Sequence, residues 1–222
     1  ADLPSKLTAT GVGRGYRADE AAEQTPPPRK EVQLRAPLFE QGEKKLTPAE
    51  IGTAHHLFMQ FCDFDAACAP NGVENELNRL AEKKILSTEQ AHAVDKRKIE
   101  RFFASDLYKT FMAENKVRRE FKFSVLVPAQ GYFPVAADAP EENVLLQGVI
   151  DCLIETRDGF VILDFKTDRI KKGGAVERAE QYRPQLAAYA RAVHEIYGRP
   201  VRACVLYFFH TGDTEWVSLD ED

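Results

Sequence analysis

Apolar and polar positions follow two rhythms in this chain, and the change comes near residue 116. Over residues 117–127 (Val-Arg-Arg-Glu-Phe-Lys-Phe-Ser-Val-Leu-Val) Phe121, Phe123 and Val125 share one face, the period-two pattern of a half-buried strand. Residues 128–143 hold three prolines and several acids and read as a long loop. Residues 144–156 and 160–166 read as a second and third strand, with Asp158-Gly159 as the tight hairpin turn between them. A helix over 175–197 ends at Gly198, with Pro200 behind it. Residues 201–209 give a fourth strand, and 214–219 a short edge strand reached through Gly212-Asp213.

Ahead of the strands the spacing is helical. In Thr47-Pro48-Ala49-Glu50, Thr is the N-cap, Pro takes the first position and Glu the third, so a helix starts there and runs to about Cys62. Further helices are predicted over 73–83, 88–103 and 105–114; Ser87 with Gln90 forms a second capping box, and Ser105-Asp106 divides the last two. Residues 1–46 read as an extension or linker, because Thr25-Pro26-Pro27-Pro28-Arg29-Lys30 favours an extended path. Gly11, Gly13 and Gly15 have the wrong spacing for a dinucleotide loop. The expectation is an α/β fold with a helical part at 47–115 and a sheet core at 116–222.

Composition narrows the class. With 222 residues, 44% apolar and 29% charged, the chain suits a folded globular domain, and it contains no apolar run of membrane-spanning length. No charged start followed by an apolar stretch marks a secretory leader. Cys62, Cys68, Cys152 and Cys204 contain no CxxC pair, which argues against zinc and iron–sulfur sites and favours reduced thiols in the cytoplasm. A net charge of -5 disfavours non-specific coating of nucleic acid, yet a catalytic carboxylate cluster that takes up a cation carries such a charge naturally. Lys116-Val117-Arg118-Arg119 and Arg169-Ile170-Lys171-Lys172 are candidate basic clusters or plain solvated turns.

The densest chemistry lies in Ile162-Leu163-Asp164-Phe165-Lys166. On a strand Asp164 and Lys166 project to one side while Phe165 turns into the core on the other. Asp151, on the preceding strand, lies six or seven residues from the hairpin turn, as Asp164 does, and so can neighbour it. Two adjacent carboxylates repel unless a cation lies between them, and hard oxygen donors suit Mg²⁺ or Mn²⁺. A structural Asp–Lys pair fits the same spacing. Glu120 is on the face opposite Phe121 and Phe123, either toward this site or in solvent. Tyr182, Gln185 and Tyr189 form a helical stripe able to meet a nucleic-acid backbone or simply to border the apolar face. His55 and His56 point about 100° apart on a helix, so at most one faces the site.

Taken in order, Gly148-Val149-Ile150-Asp151, Asp164-Phe165-Lys166-Thr167-Asp168 and Tyr182-Arg183-Pro184-Gln185-Leu186-Ala187-Ala188-Tyr189-Ala190 resemble the RecB-type branch of the PD-(D/E)XK nucleases, with its Gly-x-x-Asp strand, Asp-x-Lys strand and Gln-x-x-x-Tyr helix. Gly52-Thr53-Ala54-His55-His56 is similar to that branch's Gly-x-x-x-His helix and selects His56; Arg119-Glu120 is similar to its Arg-Glu strand. The likeness, over roughly residues 4–210, is to the nuclease parts of the larger chains of AddAB-type ATP-dependent helicase/nucleases. It implies a restriction-endonuclease-like core, a mixed central sheet flanked by helices, over 47–222. It implies metal binding by His56, Asp151, Asp164 and the Phe165 carbonyl, water orientation by Lys166, and supporting roles for Glu120, Gln185 and Tyr189, with Gln185, Tyr189 and Tyr182 toward DNA. It implies Mg²⁺-dependent, exonuclease-type hydrolysis of unwound single-stranded DNA in recombinational repair, by a longer protein partnered with a B subunit. No Gly-x-x-x-x-Gly-Lys-Ser/Thr occurs, so the helicase motor is expected outside these residues. The rival reading is a catalytically silent module binding DNA or a partner chain on the same fold.

Overall fold

The computed structural model describes residues 5–12, 46–132 and 142–219. The predicted extension therefore lies mostly outside the described residues, as does most of the 128–143 loop.

The helical part begins where the sequence places it. Thr47 Oγ1 accepts the Glu50 N–H at 3.2 Å, and Glu50 Oε2 accepts the Thr47 N–H at 2.7 Å. This reciprocal cap starts α1 (Pro48–Phe61). Next come α2 (Phe64–Cys68), α3 (Gly72–Glu82), α4 (Thr88–Ala93) and α5 (Lys96–Ala104), then a wide π-helical turn at Leu107–Met112. The helix expected over 88–103 is broken at Val94-Asp95. Val94 is extended (φ -66, ψ 122), and the Asp95 N–H donates to His55 Nε2 at 3.3 Å instead of to a helical carbonyl.

The sheet has six strands: β1 (Lys6–Thr8), β2 (Lys116–Pro128), β3 (Asn143–Thr156), β4 (Gly159–Lys166), β5 (Val201–Phe208) and β6 (Asp213–Val217). β1, from the segment read as an extension, runs parallel to β3; β4 and β5 are also parallel, and the other pairings are antiparallel. Residues 157 and 158 form the β3–β4 turn, one position earlier than expected. Gly159 already pairs with Thr156, at φ 148, where a Cβ would lie 2.3 Å from the Pro200 carbonyl oxygen. The helix expected over 175–197 is two helices, α6 (Ala175–Glu180) and α7 (Arg183–Tyr197). Pro184 explains the break: it has no N–H to give and its ring collides with the carbonyl one turn back. Gly198 caps α7 in the left-handed region, φ 61.

Each face of the sheet is covered. Cys152, Ile154, Leu163, Phe165, Val205 and Tyr207 pack against the helices of the 47–115 region. Ile150, Leu153, Phe160, Ile162, Leu206 and Phe208 pack with α6 and α7. Cys152 and Ile150 are two apart yet lie on different sides, so the alternation of β3 slips by one at Asp151. Across the ladder Glu120 takes a left-handed φ of 50, and Val117 and Phe121 likewise fall on opposite sides. The pairing of Arg119 with Cys152 and Phe121 with Ile150 persists through the kink. A left-handed backbone at a non-glycine residue costs about 1–2 kcal/mol, and here it is spent beside the carboxylates.

Candidate active site

β3 is longer than its neighbours on one edge. β1 pairs there with residues 145–147 and β4 with 152–156, while β2 runs along the other edge. Residues 148–151 thus face a gap where β4 diverges. The last ladder pair is Cys152 with Leu163, so Asp151 and Asp164 stand one step beyond it, opposite each other at the mouth of the gap.

A cavity of about 280 Å³ opens there. His56, Glu120, Asp151, Asp164, Phe165, Lys166, Gln185 and Tyr189 all line it. Five different elements bring them: α1, the β2 kink, the middle of β3, the end of β4, and α7. Asp151 bridges two of them, for its Oδ2 accepts the Phe165 N–H at 2.7 Å and its Oδ1 lies 3.3 Å from His56 Nδ1. Phe165 meets the cavity through its backbone, since its ring packs edge-on against Phe102 at 5.2 Å on the other face.

Asp164 is 4% exposed and carries the main electrostatic stress. Its Oδ2 lies 2.6 Å from Lys166 Nζ but off the hydrogen-bonding direction, and it has no hydrogen-bond partner. Burial raises the pKa of Asp164, the Lys166 charge opposes that, and Asp151 adds to it, for a net upward shift. Glu120 is also raised, by burial first and then by Asp151. At His56 burial acts downward, but the Asp151 charge, its hydrogen bond and the Asp164 charge outweigh it, so the imidazolium is favoured.

Lys166 is held from three sides. Besides Asp164, its ammonium donates to Gln185 Oε1 at 3.2 Å and lies 3.8 Å from the centroid of the Tyr182 ring. Gln185 Nε2 donates to the Tyr189 hydroxyl at 2.7 Å. The predicted stripe therefore faces inward: Tyr182, Gln185 and Tyr189 are 9%, 7% and 2% exposed. Burial pushes the phenols of Tyr182 and Tyr189 upward, so both are neutral. Tyr182 does not line the cavity; it supports Lys166 from behind and donates its hydroxyl hydrogen bond to Asp168.

Of the adjacent histidines, His56 lines the cavity and His55 does not. His55 is 3% exposed and uses both nitrogens structurally: Nδ1 meets the Ile51 carbonyl at 2.9 Å and Nε2 accepts from Asp95. Those partners assign the proton to Nδ1. Burial lowers its pKa.

The cavity is also lined by Gly148 and Val149 and by Thr10, Thr167 and Asp168, to which the sequence reading gave no role. Thr167 and Asp168 directly follow Lys166, and a polar pair leaving the end of a site strand is a usable signal. Thr10 has none, because only the pairing of β1 with β3 brings it there. Asp168 is pulled below the usual carboxylate range: burial opposes this, but hydrogen bonds from Tyr182 and Arg178 prevail.

The donor set suits a hard divalent cation. The carboxylates of Asp151 and Asp164 both line the cavity, and the buried Asp164 Oδ2 is met by the Lys166 ammonium alone. Among the described residues no three His, Cys, Asp or Glu side chains converge as one metal cluster.

A mixed sheet with a carboxylate pair and a lysine at its splayed strand ends, covered by helices on both faces, defines a nuclease class. Residues 29–218 match the PD-(D/E)XK nuclease superfamily, and the chain belongs to it. The relatives it is similar to include the A subunits of ATP-dependent helicase/nucleases. The chain is 40% identical to that of Moorella thermoacetica over 95% of this chain and 15% of the relative. It is 41% identical to that of Desulforamulus reducens over 79% and 14%, and 35% identical to that of Desulforudis audaxviator over 97% and 18%. The chain thus spans less than a fifth of the length of these relatives. Among the described residues no helix is long and apolar enough to cross a membrane.

Proposed function

We propose that this chain hydrolyses phosphodiester bonds of single-stranded DNA in a divalent-cation-dependent reaction, as the nuclease part of a helicase–nuclease. The observation that carries the reading is the meeting of Asp151, Asp164 and Lys166 in one cavity at the end of a splayed strand pair. Similarity to part of a helicase/nuclease chain supports DNA as substrate and partnership with a B subunit. On this reading residues 47–222 are the nuclease domain, exonuclease-type and cytoplasmic, trimming the 3′-ended strand during double-strand-break repair.

Asp151, Asp164, His56 and the Phe165 carbonyl would hold Mg²⁺, with Mn²⁺ able to replace it. Bound there, the ion supplies Lewis-acid stabilisation of the phosphate and a more acidic water. Lys166 orients the attacking water and steadies negative charge on the phosphate oxygens. Gln185 holds that ammonium in place, and Tyr189 orients Gln185; both reach DNA at the cavity wall, while Tyr182 acts through Lys166. Glu120 faces Asp151 across the kink and accepts hydrogen bonds from water in the site.

The test is cleavage of a single-stranded oligonucleotide with Mg²⁺, with Mn²⁺ and with chelator, for the parent and Asp164→Ala. Metal-dependent cleavage by the parent alone is expected. Equal cleavage by both, or none by the parent at high enzyme concentration, refutes the reading; in the second case a silent binding module remains.

A further inference from the structure

A second cleft, of about 430 Å³, lies behind the segment that leaves β4. Thr167 and Asp168 belong to the walls of both this cleft and the active-site cavity, so the segment is a shared partition. Beyond it the cleft is lined by Lys98 from α5, Arg169, and the start of α1, over an apolar floor that includes Ile51 and Phe209. Arg169 is exposed and forms no ion pair among the described residues. Lys98 reaches Asp95 at 3.4 Å, with side chains 32% and 43% exposed, a solvent-screened contact of little energy. Asp168, the one acid of the wall, is engaged by Arg178 and Tyr182. A chain of net charge -5 thus presents two available cations beside its own site.

We propose that this cleft binds the DNA strand next to the scissile bond, with Lys98 and Arg169 on the flanking phosphates. The proposal rests on the nuclease reading above and adds a subsite to it. Continuity supports DNA as the occupant. Arg169 is three residues past Lys166, so their Cα atoms are at most roughly 11 Å apart, a separation that a strand held at Lys166 covers within a few nucleotides. Cations over an apolar floor also match how proteins track a single strand, with charge on the backbone and apolar surface for sugar and base. The walls come from α1, α5 and the exit of β4, which gives the groove a direction out of the cavity.

The experiment measures binding of a fluorescein-labelled oligothymidylate to the 222-residue chain over a range of salt, in chelator so that nothing is cleaved. The parent is compared with Lys98→Ala/Arg169→Ala and with an equal charge change elsewhere, Lys83→Ala/Arg157→Ala. Affinity in the first variant is expected to fall on the order of tenfold, and its salt slope by about 0.7 to 1.4. The control variant is expected to move much less. Unchanged affinity and slope, an equal loss in the control, or no binding by the parent overturns the subsite. Hydrolysis of bis(p-nitrophenyl) phosphate with Mn²⁺ separates the two readings. That small diester does not reach the cleft, so its turnover by the parent and by Lys98→Ala/Arg169→Ala should agree. Turnover of the diester with unaltered DNA binding in the variant removes the subsite and leaves the nuclease.

Discussion

Replacing Lys166 by methionine keeps most of the stem and removes the charge. In the parent, the Lys166 and Asp164 side chains are 12% and 6% exposed with 2.6 Å between Nζ and Oδ2. At an effective dielectric of about 20 such a pair attracts by about 6 kcal/mol, most of it offset by the cost of desolvating both ions. Removing one partner keeps the cost and loses the attraction, which typically destabilises by about 3–5 kcal/mol. In a chain of this size that lowers Tm by roughly 10 °C. Urea unfolding at pH 7.5 in chelator measures it directly. A second change, Asp164→Asn, removes the stranded carboxylate and should restore most of the loss. Acidification should restore part of it too. Asp164 already has a raised pKa in the folded protein, and loss of the Lys166 charge raises it further. The folded state then binds more protons than the unfolded one, so stability increases as pH falls through the folded pKa, and the gain levels off below the unfolded value. Added Mn²⁺ should stabilise Lys166→Met more than the parent, because a cation supplies the missing charge. A loss below about 1 kcal/mol, or a double variant no better than Lys166→Met, refutes charge compensation as the role of this pair.

Four further variants have expected outcomes. Gly52→Ala places a Cβ 2.8 Å from Thr167 Oγ1 and should cost about 1–3 kcal/mol and reduce cleavage, with Thr167→Ala restoring both; failure of that rescue means the contact is not the cause. His55→Ala should cost about 2–3 kcal/mol by calorimetry, since a buried ring and two hydrogen bonds are lost. His56→Ala should leave Tm nearly unchanged while lowering metal-dependent cleavage by on the order of 100-fold, and the reverse pattern would exchange their roles. Glu76 accepts from the Asp63 N–H at 2.6 Å and from Arg79 Nε at 2.7 Å, and Arg79 foremost holds its carboxyl below the usual range. Glu76→Gln should therefore cost roughly 1–3 kcal/mol at pH 7. Because a depressed pKa stabilises above the unfolded value near 4.3, the difference from the parent should shrink as pH falls below it. A pH-independent difference would show that charge is not involved.

Local chemistry makes much of this protein legible without its fold. Capping side chains at Thr47 and Ser87 mark helix starts, a period-two run marks β2, apolar runs either side of a turn mark β3 and β4, and a glycine able to adopt positive φ ends α7 at Gly198. The pairing of Asp164 with Lys166 and the opposite sense of Phe165 follow from strand geometry alone. Such features depend on neighbours within about four residues, which a sequence displays in full. Other features depend on contacts distant along the chain. Only pairing with β3 brings Lys6–Thr8 into the sheet and Thr10 to the cavity. A hairpin turn one residue earlier than expected sets Asp151 directly across from Asp164. The break at Asp95 answers to His55, forty residues away. The Gln185–Tyr189 stripe reads in the sequence as a surface for DNA or as the border of an apolar face, and only the packing of α7 on the sheet buries it at the cavity wall, with Gln185 on Lys166. The residue types of the site belong to the sequence; their face, burial and charge state belong to the tertiary structure, because burial and proximity of charge are set by whatever long-range packing brings against each group.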